Sequence, residues 1–281
     1  METGLKNSVV LVTGGAGGIG QSICKKFALE GATVIIHYYE SSEKAIALAK
    51  EIDGFALQSD LRDSDSTMLM VDKIISKYGK LDICIANAGY YPSEPKPMWQ
   101  ISSERWNSTI TSNLKIAFNT ARAFLLHAEK KRHGSLVFVG STAGIYGESG
   151  HSDYAAAKGA LTSGLLMSLK NDVAVLGNVR VNAVAPGWTL TPKKLEQGID
   201  KNTIDIATAT MALKKLATPD DVANIIVSLS SDKISGHVTG QVIEVAGGME
   251  GRLIYSWLNF ILGLLTLCMS IRFILKYQLI M

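Results

Sequence analysis

From residue 9 to residue 245, short β-branched runs alternate with longer segments of helical period, and this alternation restricts the fold of the chain more than any other feature. Parallel strands need a crossover between them, usually a helix, so repeated βα units imply an α/β domain with a parallel sheet. Residues 9–13, 33–38, 55–59, 81–86, 135–140, 179–185 and 241–245 read as seven strands. Residues 19–30, 42–52, 64–78, 102–131, 152–176 and 219–230 carry helical spacing, several with start signals. Helices on both faces would make this a doubly wound seven-stranded sheet. No repeat, low-complexity tract or polar linker divides it, so residues 1–251 are expected to form one domain. The longest irregular stretch, 186–218, follows the sixth strand, where it could close over a ligand.

Composition narrows the function classes. The 281 residues are 47% hydrophobic, ample for a large core. The formal charge of +3 comes from Arg252, Arg272 and Lys276, so residues 1–251 are neutral overall. That balance gives no electrostatic footprint for nucleic acid. Cys24, Cys84 and Cys268 lie far apart without metal-ligand spacing and read as reduced thiols, with no metal site expected. No apolar stretch precedes the first strand, so no secretory signal is expected and the catalytic domain is placed in the cytoplasm.

The first strand runs directly into TGGAGGIG at 13–20, followed by a helix. Missing side chains there let the backbone approach a pyrophosphate, and the helix N-terminus offers amides and a positive dipole. This is the Rossmann-type arrangement for a dinucleotide. The spacing fits two patterns, one through Gly14, Gly18 and Gly20, the other through Gly14, Gly17 and Gly20.

A second constellation bears on chemistry. Tyr154 and Lys158 stand four apart in a helical segment, so the ammonium and the phenol share a face. A neighbouring cation favours phenolate. Ser141, thirteen residues before Tyr154 and at a strand end, could hold a substrate oxygen while Tyr154 gives or takes a proton.

Taken in order, TGGAGGIG, Asp60-Leu61, Asn87-Ala88-Gly89, Asn113, Ser141, Tyr154 with Lys158, and the PGWTLT run at 186–191 resemble the short-chain dehydrogenase/reductase family in its compact form. The likeness covers residues 5–249 and settles the glycine spacing in favour of Gly14, Gly18 and Gly20. It implies an NAD(P)-dependent oxidoreductase that moves a hydride between nicotinamide and a secondary alcohol or ketone. Tyr154 would be the general acid/base, Lys158 its tuning cation and the ligand of the nicotinamide ribose, Ser141 the group polarising the substrate, and Asn113 the holder of a relay water at a helix kink. Gly14, Gly18, Ile19 and Gly20 would cradle the pyrophosphate, and Asp60 with Leu61 would border the adenine. Asn87 would steady the central strand, Gly89 would admit the ribose, and Pro186, Gly187 and Thr191 would border the nicotinamide. A homodimer or homotetramer is also implied.

The cofactor's phosphate state is read at the end of the second strand, where Tyr38, Tyr39 and Glu40 carry neither the acid common in NAD users nor the Arg common in NADP users. Ser41, Ser42 and Lys44 resemble a phosphate cradle, which favours NADP over NAD. The expected partner is a small carbonyl or alcohol, with Tyr90, Tyr91, Ile145, Tyr146, His151 and Trp188 as candidate lining, and Tyr146, His151 and Trp188 as substrate contacts. A membrane-bound lipid keto-reductase and a silent cofactor-binding regulator are the alternatives; the intact Asn113, Ser141, Tyr154 and Lys158 set opposes the second.

Family members of this form end shortly after the Gly247-Gly248 turn, yet this chain continues with nineteen residues, 253–271, that carry no formal charge. That length suffices to cross a hydrocarbon core, and Tyr255, Trp257, Arg272, Lys276 and Tyr277 suit its interfaces. An apolar C-terminal helix over 252–281, anchoring the protein to a membrane, is the expectation; a helix docked on a partner subunit, or an extension without a role, are the alternatives.

Overall fold

The computed structural model describes residues 2–251. The apolar C-terminal helix and the anchor read from it lie outside the described residues. Among the described residues, no helix is long and apolar enough to cross a membrane.

The strands are β1 (Val9–Val12), β2 (Thr33–Tyr38), β3 (Phe55–Gln58), β4 (Ile83–Ala86), β5 (His133–Val139), β6 (Asn178–Pro186) and β7 (Val242–Val245). They form one parallel sheet in the order β3-β2-β1-β4-β5-β6-β7. The larger helices are α1 (Gly18–Leu29), α2 (Ser42–Glu51), α3 (Ser64–Tyr78), α4 (Ser103–Ile110) and α5 (Ile116–Lys131). They are followed by α6 (Ala143–Tyr146), α7 (Ser152–Gly159), α8 (Leu166–Asp172), α9 (Pro192–Gln197), α10 (Lys201–Thr208), α11 (Pro219–Ser230) and α12 (Asp232–Ser235).

Alternation along a strand sends successive side chains to opposite faces. Val9 and Leu11 of β1 enter one core with Met70 of α3 and Phe124 of α5, while Val10 and Val12 enter another with Phe27 of α1 and Ile226 of α11. Both faces are therefore covered, which is why the strands read as continuous apolar runs. This is the doubly wound, Rossmann-type single domain that the alternation predicts.

Helix starts follow local chemistry. The Asp63 carboxylate accepts from the Asp65 and Ser66 amides at the start of α3, and Gly79, at φ 75°, closes that helix in the left-handed region. Thr218 and Asp221 form a reciprocal capping box on α11, with Pro219 at its first turn. Asp63→Ala should lower the unfolding free energy by about 1 kcal/mol. A urea titration, with the slope unchanged, checks this.

Three expectations need correction. The helix read over 102–131 is helical from Ser103 to Lys131 but departs from α geometry in a π-helical turn, Thr111–Lys115, which contains Asn113, where the resemblance implies a kink, and in which the Ile116 amide bonds to the Thr111 carbonyl. The helix read over 152–176 departs likewise at Ala160–Leu165 and ends in a 3-10 turn, Val173–Leu176. Both π turns keep right-handed helical dihedrals and differ from an α-helix in their backbone hydrogen bonding, which a reading of apolar spacing does not specify. The stretch 186–218 is not irregular throughout: α9 and α10 lie in it, with Asp200 capping α10 through the Thr203 amide.

Candidate active site

The chain leaves β3 at one edge of the sheet and re-enters at β4, on the far side of β1. Loops beyond the carboxyl ends of β1 and β4 therefore diverge and open a crevice, the usual ligand position in such sheets. Two adjoining cavities of about 670 and 390 Å³ occupy it and share Ile19, Asn87, Gly89, Tyr90, Tyr91 and Thr191. An elongated, two-lobed cleft of this kind suits a dinucleotide lying across the sheet. Gly14, Gly18, Gly20, Tyr38, Asp60 and Leu61 line the larger lobe. Asn113, Ser141, Tyr154, Lys158, Pro186 and Gly187 line the smaller. The four residues expected to act in catalysis and those expected at the pyrophosphate, adenine and nicotinamide thus line one continuous cleft, whereas of the expected phosphate cradle only Ser41 lines it and Ser42 and Lys44 do not.

The glycine turn is braced from both neighbouring strands. Thr13 Oγ1 accepts from the amides of Asn87 (2.9 Å) and Ala88 (3.0 Å), and Asn87 Nδ2 donates to the carbonyls of Thr13 (2.8 Å) and Gly14 (3.2 Å). On the other side the Gly14 amide donates to His37 Nδ1 (3.1 Å), and His37 Nε2 donates to the Ser59 carbonyl (3.0 Å). Burial pushes the His37 imidazole down to about 4, so the ring is neutral and its Nδ1 is free to accept. At Gly20 an added Cβ would collide with the Gly14 carbonyl oxygen, so only glycine lets α1 begin this close to the turn. The backbone is thereby presented bare toward the larger lobe, the surface that a pyrophosphate requires, and the residues present fit a nicotinamide dinucleotide.

In the smaller lobe, Ser141 follows β5 and its Oγ accepts from the Ala143 amide (3.1 Å). Lys158, from α7, is buried and its Nζ donates to the Val139 carbonyl (2.9 Å), which ties the helix to the end of β5. Burial pushes the Lys158 ammonium down to about 8. The ammonium lies 5.8 Å from the centre of the Tyr154 ring, the proximity predicted by their four-residue spacing. Tyr91 sets its ring edge against Tyr154, at 5.0 Å and 83°. Asn113 sits inside the π turn, fully buried, and its amide donates to the carbonyls of Tyr90 (2.8 Å) and Thr109 (3.0 Å). Gly89 completes the packing: a Cβ there would meet Asn113 Oδ1 at 2.8 Å and Lys158 Nζ at 3.3 Å.

The three residues expected at the substrate divide. Trp188 lines the smaller lobe, with Lys194 Nζ 5.0 Å from its ring centre. His151 does not line the cleft; it is buried behind Tyr91, stacked on that ring at 4.5 Å, with Nε2 donating to the Pro92 carbonyl (3.0 Å). Tyr146 is turned away toward Glu244, whose carboxylate raises the phenol's pKa. Glu148 and Lys194 line the lobe instead. At the adenine end, Asp60 is chelated by Arg62 (2.7 and 2.9 Å), which also donates to Tyr39 Oη (2.6 Å) and holds the Asp60 carboxyl below the usual carboxylate range. Sequence reasoning missed His37, Arg62, Glu148 and Lys194. Only His37 left a trace, as the one imidazole in an otherwise buried apolar strand.

A glycine turn at a sheet's switch point, joined to a lobe with a phenol, an ammonium and a hydroxyl, defines a nicotinamide-dependent oxidoreductase. The short chain dehydrogenase family model matches residues 8–202, and the chain belongs to that family. It is an NAD(P)-dependent oxidoreductase acting on C=O and CH–OH groups. Its relatives include the 3-oxoacyl-[acyl-carrier-protein] reductase of Thermotoga maritima, 36% identical over 250 residues, 87% of this chain and 98% of that protein. The enzymes of the same name from Staphylococcus aureus and Chlamydia muridarum are each 32% identical, over 244 and 256 residues, 85% and 89% of this chain and 96% and 100% of theirs.

Proposed function

We propose that this protein reduces the ketone of a 3-oxoacyl thioester to a secondary alcohol with NADPH, Tyr154 being the proton donor. The observation that carries the reading is the convergence of Asn113, Ser141, Tyr154 and Lys158 on the lobe that adjoins the glycine-lined one. When bound, the nicotinamide supplies the hydride. The Ser141 hydroxyl donates to the substrate oxygen and orients it, and Tyr154 hands its proton to that oxygen as negative charge develops there. Lys158 fixes the phenol's surroundings and offers its ammonium to the nicotinamide ribose. Asn113, held at Tyr90 and Thr109, faces the same lobe and can order a water that returns the proton. Gly14, Gly18, Ile19 and Gly20 cradle the pyrophosphate, and Thr191 borders both lobes beside Pro186 and Gly187.

The substrate class is supported by the activity named for the relatives. NADP is supported by Ser41 and Arg62, which line the far end of the larger lobe. Glu40 lines it too, and a carboxylate there opposes a phosphate, so the cofactor comparison is a severe test. Full-length protein should be assayed with NADPH and NADH against an acetoacetyl thioester, a cyclic ketone and a long-chain ketone. The thioester with NADPH should show kcat/KM at least about tenfold above the other pairs, a difference of about 1.4 kcal/mol. Equal rates with NADH would overturn the cofactor assignment, and preference for another carbonyl would overturn the substrate.

A further inference from the structure

Asp153, the residue before the proton donor, is fully buried although it is a carboxylate. Such a group is retained only when paired and hydrogen-bonded. Its Oδ2 accepts from Arg105 Nε (2.9 Å) and from Thr109 Oγ1 (2.9 Å), both on α4, and its Oδ1 accepts from Arg105 Nη2 (3.4 Å). Arg105 also reaches the carbonyls of Glu94 (2.8 Å) and Gly150 (3.4 Å), tying α4 to the chain that leads into α7. Burial raises the Asp153 pKa, but the hydrogen bonds from Arg105 and Thr109 outweigh it and hold the group below the usual carboxylate range.

The contacts close on themselves. Thr109, which donates to Asp153 through its hydroxyl, accepts from Asn113 Nδ2 through its carbonyl (3.0 Å). Asn113 grips the Tyr90 backbone from both sides, accepting from its amide (3.2 Å) and donating to its carbonyl (2.8 Å). The next residue, Tyr91, lies against the ring of Tyr154. Tyr154 is thus reached from Asn113 by two routes, through Thr109 and Asp153 along the backbone and through Tyr90 and Tyr91 by ring contact. None of Arg105, Thr109 and Asp153 lines the cleft. We infer that Arg105, Thr109 and Asp153 are positioning residues, a clamp between α4 and the first turn of α7 that sets the Tyr154 phenol at its working distance from Asn113.

The inference rests on Tyr154 being the proton donor. Proton transfer demands placement to within a fraction of an ångström, so a slack clamp should slow chemistry without weakening the grip on the cofactor. Asp153→Ala, Asp153→Asn and Thr109→Val are compared with the unaltered enzyme on an acetoacetyl thioester with NADPH, and NADPH affinity is read separately by fluorescence titration. Asp153→Ala should lower kcat by about 10–100-fold with NADPH affinity within about twofold. Asp153→Asn keeps an acceptor for both donors and should recover kcat to within about threefold of the unaltered enzyme. Thr109→Val has nearly the same shape and leaves the Arg105 pair intact; it should lose several-fold in kcat, and it decides the matter where Asp153→Ala fails to fold. Unchanged kcat in Thr109→Val, a parallel loss of NADPH affinity and kcat, or no recovery in Asp153→Asn would overturn the clamp. Tyr154→Phe run alongside separates the two ideas: if it is fully active the proton-donor reading has failed, and if it is inactive while Thr109→Val is normal only the clamp has.

Discussion

Tyr154→Phe should lower carbonyl reduction by about 10²–10⁴-fold while leaving dinucleotide affinity unchanged, the loss expected when a positioned general acid is removed. The variant is informative because it deletes one oxygen and retains the ring. Tyr91 keeps its edge-on contact at 5.0 Å, and Lys158 keeps its bond to the Val139 carbonyl. The glycine turn, held by Thr13, His37 and Asn87, is untouched. A titration of NADPH fluorescence should therefore superimpose on that of the unaltered protein. Steady-state rates should show the loss in kcat, with KM for the cofactor unmoved. Activity within twofold of the parent would exclude Tyr154 as the proton donor.

Lys158→Met should abolish turnover and yet make the cofactor-free protein more stable at neutral pH. Burial lowers the Lys158 pKa from 10.5 to about 8, so the folded state binds this proton less tightly than the unfolded chain does. The sign follows from linkage: the penalty for burying the charge is fully present below pH 8 and is relieved as the pH rises from 8 to 10.5. A shift of that size corresponds to about 3 kcal/mol. Methionine has a similar length and removes the charge, at the cost of the bond to the Val139 carbonyl, a net loss of about 1 kcal/mol. A gain of about 2 kcal/mol at pH 7 is the expected balance. Urea unfolding of both proteins across this window should show the advantage of the methionine variant shrinking as the pH rises, and a constant difference would contradict the assignment. A gain of that size in the methionine variant would make the retained lysine a case of stability given up for the proposed chemistry.

Much of this was legible beforehand because each signal had a local cause. The seven strands were readable because a sheet covered on both faces needs apolar side chains on both, as in β1 with Val9 and Leu11 facing one way and Val10 and Val12 the other. The glycine turn was readable because backbone closeness at Gly20 excludes every other side chain. What stayed hidden depends on contacts between segments distant in sequence. Asp153 reads as an ordinary acid in the first turn of a helix, and only Arg105 and Thr109, more than forty positions earlier, show it to be buried and paired. His151 and Tyr146 are plausible lining by their nearness to Tyr154, yet neither lies on α7: Tyr146 ends α6 and faces Glu244, while His151, just before α7, is packed behind Tyr91. The π turn at Thr111–Lys115 was anticipated only as a kink at Asn113 implied by the resemblance, because the hydrogen-bonding shift that makes it lies in the backbone.

The supports of the glycine turn have a further consequence in time. Thr13, His37, Asn87 and Ala88 all lie before residue 89, and strands β1 to β4 are contiguous in space as well as in sequence. Asn113, Ser141, Tyr154 and Lys158 come later. A chain leaving the ribosome therefore carries every brace of its glycine turn before it has synthesised any of the four side chains proposed for its acid–base chemistry.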